Sequence, residues 1–266
     1  MRAGVAGLLV TGLLVTACAG DPAREGLRSG EEFSVLGALR EVPRPEDDSL
    51  LVVQVGDLDT AIAHSGLARD GALDETAWEW MGPLFSFLGH RGPEAPIYVP
   101  LPGVFPPRSF QSLPALREEL GWSVVDVDAF VEMNAVPGRF SVRAGGFDDQ
   151  TQAHLPEVAD GVVTAGGGED LEDQTGSATP ARRLGRPLRM AQSDGRIAAS
   201  LTLPAVQEWV GGPEETPWRT TRISPAVAAG LDDGGATTAY LARGTSHSST
   251  DVFRGAPDFA ASVEGR

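Results

Sequence analysis

The polar and apolar positions of the chain fall into short blocks of two periods. Leu50-Leu51-Val52-Val53-Gln54-Val55 is an apolar, partly β-branched run of buried-strand length. Gly56 breaks it, and Asp57 stands where a helix N-cap belongs, ahead of Leu58, Ile62, Ala63 and Leu67 at helical spacing. A second helix is predicted over 74–88, with Trp78, Met81, Leu84, Phe85 and Leu88 on one side and Pro83 as a kink or break. Residues 91–112 are proline-rich, with Ile97-Tyr98-Val99 as a short edge strand. A third helix covers 112–122, opened by Ser112 and Pro114 and ended by Gly121. The stretch VVDVDAFVEM (124–133) fits a helix or a strand.

The pattern is cleaner further on. RFSVRAG (139–145) reads as a strand, FDDQTQAHL (147–155) as a short helix and GVVTAG (161–166) as a strand. PLRMAQ (187–192) and RIAASL (196–201) form a hairpin across Ser193-Asp194-Gly195. Helices follow at 203–210 and 224–231, each with proline in its first turn, and a last strand at 236–242. The implied class is α+β, a mixed or antiparallel sheet packed by helices. The C-terminal half has the element order of a ferredoxin-like split βαβ unit with one strand and one helix extra. VVQVGDLDTAIAHSGL and FSVRAGGFDDQTQAHL echo each other weakly as strand, glycine, Asp and helix. The body at 49–266 is therefore either one domain or two related halves, 49–135 and 136–245, with a C-terminal tail.

The N-terminus follows neither period. Arg2 is followed by the uncharged Ala3–Thr16, the length of a secretory apolar region and too short for a helix crossing about 30 Å of hydrocarbon. Val15-Thr16-Ala17-Cys18 resembles the bacterial lipobox, an aliphatic and two small residues before a cysteine. The resemblance implies a signal peptide at 1–17 and diacylglycerol joined to the sulfur of Cys18, the only cysteine of the chain. Two or more acyl chains give stable attachment where one is marginal. Residues 18–48 then read as an acylated N-terminus and flexible tether, within which FSVLGAL (33–39) is either a chance apolar patch or a docked element.

Composition narrows the partners. The chain carries a formal net charge of −16, and all 21 of its basic residues are arginine. Acidity on this scale argues against nucleic acid, which needs a basic footprint, and against the body lying on anionic lipid. Arginine without lysine, abundant Gly and Pro, and the lipobox together resemble uncharacterised lipoproteins of actinobacteria. That resemblance implies a membrane-anchored, extracytoplasmic protein and nothing about activity.

The candidate chemistry is sparse. His64, His90, His154 and His247 have no metal-binding spacing, and no HExxH pattern occurs. Asp57/Asp59 and Asp126/Asp128 are DxD pairs, the basis of an alternative reading as a carboxylate-based hydrolase or metal-dependent envelope enzyme. Gly166-Gly167-Gly168 lacks both phosphate-loop patterns and is followed by Glu169 and Asp170. Arg182, Arg183, Arg186 and Arg189 form the one basic cluster, either gripping an anionic ligand or partner or pairing with nearby carboxylates. The five tryptophans fall mostly at apolar helical positions, where core packing is the expectation. The reading is a non-catalytic binding or interaction module held to membrane lipid through Cys18. No catalytic residue, metal or cofactor is assigned, and the partner is an envelope protein or a small ligand.

Overall fold

A computed structural model describes residues 26–43, 51–69, 77–84, 112–135, 138–182, 184–212 and 225–243. The expected strand at 97–99 lies outside the described residues. Eight strands, β1 (Leu51–Asp57), β2 (Val127–Ala135), β3 (Gly138–Gly145), β4 (Glu157–Ala159), β5 (Val162–Ala165), β6 (Leu188–Ser193), β7 (Arg196–Ser200) and β8 (Thr238–Arg243), form one sheet. Its order is β4-β5-β6-β7-β3-β2-β1-β8, and every neighbouring pair is antiparallel. The class is α+β, and the sheet is antiparallel throughout the described residues.

Period-two alternation sends the sheet's side chains into two cores. Leu51, Val53 and Val55 of β1, Ala129, Val131 and Met133 of β2, and Phe140, Val142 and Ala144 of β3 share one face. They meet α1 (Val35–Leu39) and α6 (Pro225–Asp233), while α5 (Leu203–Val210) covers the sheet further along, with Val206 on Val162 and Ala191. Phe130, Ile197, Ala199, Met190 and Leu188 face the other way. There they pack with α2 (Leu58–His64), α3 (Ala77–Leu84), α4 (Leu113–Leu120), Trp80 and Trp122. Both faces of the central strands are therefore buried, which is why β1 reads as a nearly continuous apolar run.

Local chemistry sets most boundaries as expected. Asp57 caps α2, its side chain accepting from the Thr60 backbone N–H. Gly121 ends α4 at φ 81°, and a Cβ there would fall 1.6 Å from the Thr151 carbonyl oxygen, so only glycine fits. Asp194 and Gly195 both have positive φ, 50° and 70°, as a two-residue hairpin turn between β6 and β7 requires. The ambiguous VVDVDAFVEM resolves into one 3-10 turn, Val124–Asp126, and then β2.

Three expectations change. FSVLGAL contributes α1, and Val35, Ala38 and Leu39 are buried against the sheet. The helix expected at 147–155 is a series of turns: Thr151, Ala153 and Leu155 each bond three residues back, not four. Asp148 draws the backbone of Gln150 and the hydroxyl of Thr151 to its own carboxylate, and Pro156 follows, so the segment closes on itself instead of propagating. In the C-terminal half β7 does lie between β3 and β6, but β3 is joined to β6 through turns and the β4–β5 hairpin. The last strand, β8, pairs with β1, because β2 already occupies the other edge of β3.

Candidate functional site

The DxD carboxylates gather at one end of the sheet, where β1 ends and β2 begins. Asp57 is fully buried; its oxygens accept from Thr60 N–H at 3.3 Å and Gly30 N–H at 3.1 Å, and also from the Thr60 hydroxyl. Burial raises its pKa against the lowering effect of these hydrogen bonds. Arg69 bridges the second pair, lying 3.0 Å from Asp59 and 2.5 Å from Asp128. Its guanidinium also sits 5.3 Å from the centroid of the Trp80 ring. The pKa of Asp128 is raised, first by burial and then by the neighbouring Asp59 charge, with Arg69 opposing. Asp126 belongs elsewhere: it pairs with Arg117 and accepts from Ser123 in a capping box before β2.

These carboxylates act mainly on the segment that precedes the sheet. Ser29 donates to Asp59 at 3.0 Å and Gly30 to Asp57. Asp232, near the end of α6, accepts from Val35 N–H at 2.6 Å and Leu36 N–H at 3.2 Å, so both its oxygens cap α1 from across the fold. Glu41, 7% exposed, accepts from Leu27 N–H at 2.8 Å, from Trp209 Nε1 at 2.7 Å and from Arg196. Four carboxylates thus hold residues 27–36 onto the body. Asp59 and Asp57 were legible as candidates from spacing; Glu41 and Asp232 were not, because their partners are remote in sequence.

A second polar group, buried except for the half-buried Gln54, lies on the sheet face that packs with α2, α3 and α4. Gln54, Glu132 and Ser141 stand side by side across β1, β2 and β3, and Arg143 lies diagonally from Glu132. Glu132 and Arg143 are both 0% exposed. Burial pushes the Arg143 guanidinium down to about 10, Glu132 opposes that shift, and the charge stays on at neutral pH. Its guanidinium lies 4.8 Å from the centroid of the Trp122 ring, while Glu132 accepts from Asn134 at 3.0 Å. Alternation in β2 carries the signal for this group: read as a strand, VDAFVEMNA puts Glu132 in register with buried Phe130.

Arg182 and Arg186 of the arginine cluster sit in the loop between β5 and β6, and Arg189 stands in β6. Arg182 meets Glu119 at 2.6 Å, and Arg186 meets Asp173. Arg189 donates to Asp170 at 2.8 Å, Thr164 at 2.9 Å and the Gly168 carbonyl at 2.7 Å. Asp170 in turn accepts from Leu203 N–H at 2.6 Å, which ties the loop to the start of α5. Arg183 lies outside the described residues. Of the histidines, His64 ends α2 and His154 lies near the Glu119 carbonyl; both are exposed, and His90 and His247 lie outside the described residues. Among the described residues no group of three His, Cys, Asp or Glu is placed to hold a metal ion.

No protein-family model, no curated protein and no solved structure matches this chain.

Proposed function

We propose that the protein is an extracytoplasmic lipoprotein, anchored in the cell membrane through acylated Cys18, whose body is a non-catalytic binding or interaction module. The observation that carries the reading is Val15-Thr16-Ala17-Cys18 after an uncharged run, in a chain with no other cysteine. Among the described residues, no helix is long and apolar enough to cross a membrane. The carboxylates that an envelope hydrolase would use support the non-catalytic reading by their partners: Asp59 and Asp128 converge on Arg69, Asp57 on backbone and hydroxyl donors.

The partner is an envelope protein or small ligand, and the net charge disfavours nucleic acid. An anion gripped by Arg182, Arg186 or Arg189 has to compete with Glu119, Asp173 or Asp170. Kinship with ferredoxin-like folds is confined in this proposal to the β3–β7–β6 arrangement. The test is Cys18→Ala in the native host. The variant is expected to leave the membrane fraction and to stop incorporating labelled palmitate. A variant that stays in the membrane and still takes up the label overturns the anchoring.

A further inference from the structure

Resting on the lipobox reading, we infer that the body is held close to the bilayer with the Gly145/Gly195 end of the sheet nearer the lipid than the Gly138 end. The reason is how little chain is left for a tether. Residues 27–42 belong to the folded body: Leu27, Val35, Leu39 and Val42 are at most 6% exposed. Glu41, Asp57, Asp59 and Asp232 fasten the backbone or side chains of residues 27–36 in place. Only Ala19–Glu25, seven residues, separate Cys18 from Gly26. Even fully extended, the eight Cα steps from Cys18 to Gly26 span no more than about 29 Å.

The point where this short tether meets the body is defined. A Cβ on Gly26 would fall 2.0 Å from the Arg196 guanidinium and from Glu41, and Arg196 pairs with Ala144 next to the Gly145 end of β3. Ser29 and Gly30 bond to Asp59 and Asp57 at the same end of β1. The opposite end of the sheet, at Gly138 and Leu51, lies the length of β3 away, about 25 Å at strand rise. The tether thus keeps this end of the body within about 29 Å of the lipid, although the net charge of −16 disfavours contact with anionic headgroups, and a partner of the body must be reached within that layer.

The experiment uses the full-length lipidated protein in vesicles whose headgroups carry an energy-transfer acceptor. Single donors are placed at Gly146→Cys, an exposed position open to a side chain, and at Gly138→Cys, where a Cβ meets nothing closer than 3.4 Å. The 146 donor is expected to lie nearer the acceptor plane than the 138 donor, by about 25 Å for an upright body. Inserting a twenty-residue Gly/Ser linker after Glu25, on the order of 25 Å in mean span, should abolish most of that difference. Equal distances, or a difference that survives the linker unchanged, overturn the inference when mass spectrometry shows lipid on Cys18. Absence of that lipid overturns the anchoring reading instead. Docking of residues 26–43 is read separately, as slow amide exchange at Leu27 in soluble Cys18→Ala protein, and rapid exchange there also overturns the inference.

Discussion

At the scale of single residues, the same side-chain types do different work according to what surrounds them. Arg69, Arg182 and Arg186 meet carboxylates at partly exposed positions, where such pairs contribute little. Arg143 and Glu132 are wholly buried, where the loss of water is repaid only by close compensation. Asp128 gives a test of sign. Its pKa in the fold lies above the ordinary 3.8, so the folded chain takes up that proton more readily than the unfolded chain. Its contribution therefore favours folding increasingly as the pH falls towards 3.8 and fades as the pH rises through the folded value. Urea midpoints of wild type and Asp128→Asn are expected to shift in favour of wild type as the pH is lowered from neutral. A constant gap, or a shift the other way, would contradict the desolvation argument. Asp57 shares the direction, with burial as its first cause.

At the scale of elements, α1 is the informative case. Five residues are too few to hold a helix by propensity alone, so its stability comes from docking. Ser34 caps it locally through Gly37 N–H, Asp232 caps it from α6, and Leu39 fills the core against the sheet. Leu39→Ala is expected to cost about 2–5 kcal/mol, the range for emptying a buried leucine site. The check is chemical denaturation of the full chain. A loss within about 0.5 kcal/mol, typical of surface positions, would mean that the segment before β1 is no part of the cooperative fold. The turns at 148–155 show the opposite outcome. A pattern that reads as helix is captured by Asp148 and stopped by Pro156, with Thr151 placed against the C-terminal end of α4.

At the scale of the whole molecule, the sheet joins the ends of the described chain. β8, the last strand, lies on β1, the first, and β2 and β3 link the two sequence halves along a full hairpin register. The second half keeps β4-β5-β6-β7-β3 together, but its β8 lies beyond the first half's β1, so separating the halves breaks two ladders, β2–β3 and β1–β8. Unfolding in urea is expected to be a single transition, with tryptophan fluorescence and far-UV circular dichroism coinciding. Two resolved transitions would mean that 49–135 and 136–245 are independent after all.

What the sequence determined alone was local: the strands read at 50–55, 139–145 and 161–166, the hairpin read at 187–192 and 196–201 with its turn at Asp194-Gly195, and the caps at Asp57 and Gly121. Each depends on neighbours within a few positions, so composition and period express it directly. The tertiary structure alone decided which strands neighbour which, that β8 returns to β1, and that residues 27–42 are body and not tether. It also decided the partners of the charged residues. Glu41 reaches Arg196 and Trp209, Asp232 reaches α1, and Glu132 faces Arg143 only once β2 and β3 are in register. Such pairings are long-range, and a carboxylate's role follows from the donor that folding brings to it, which no local spacing encodes.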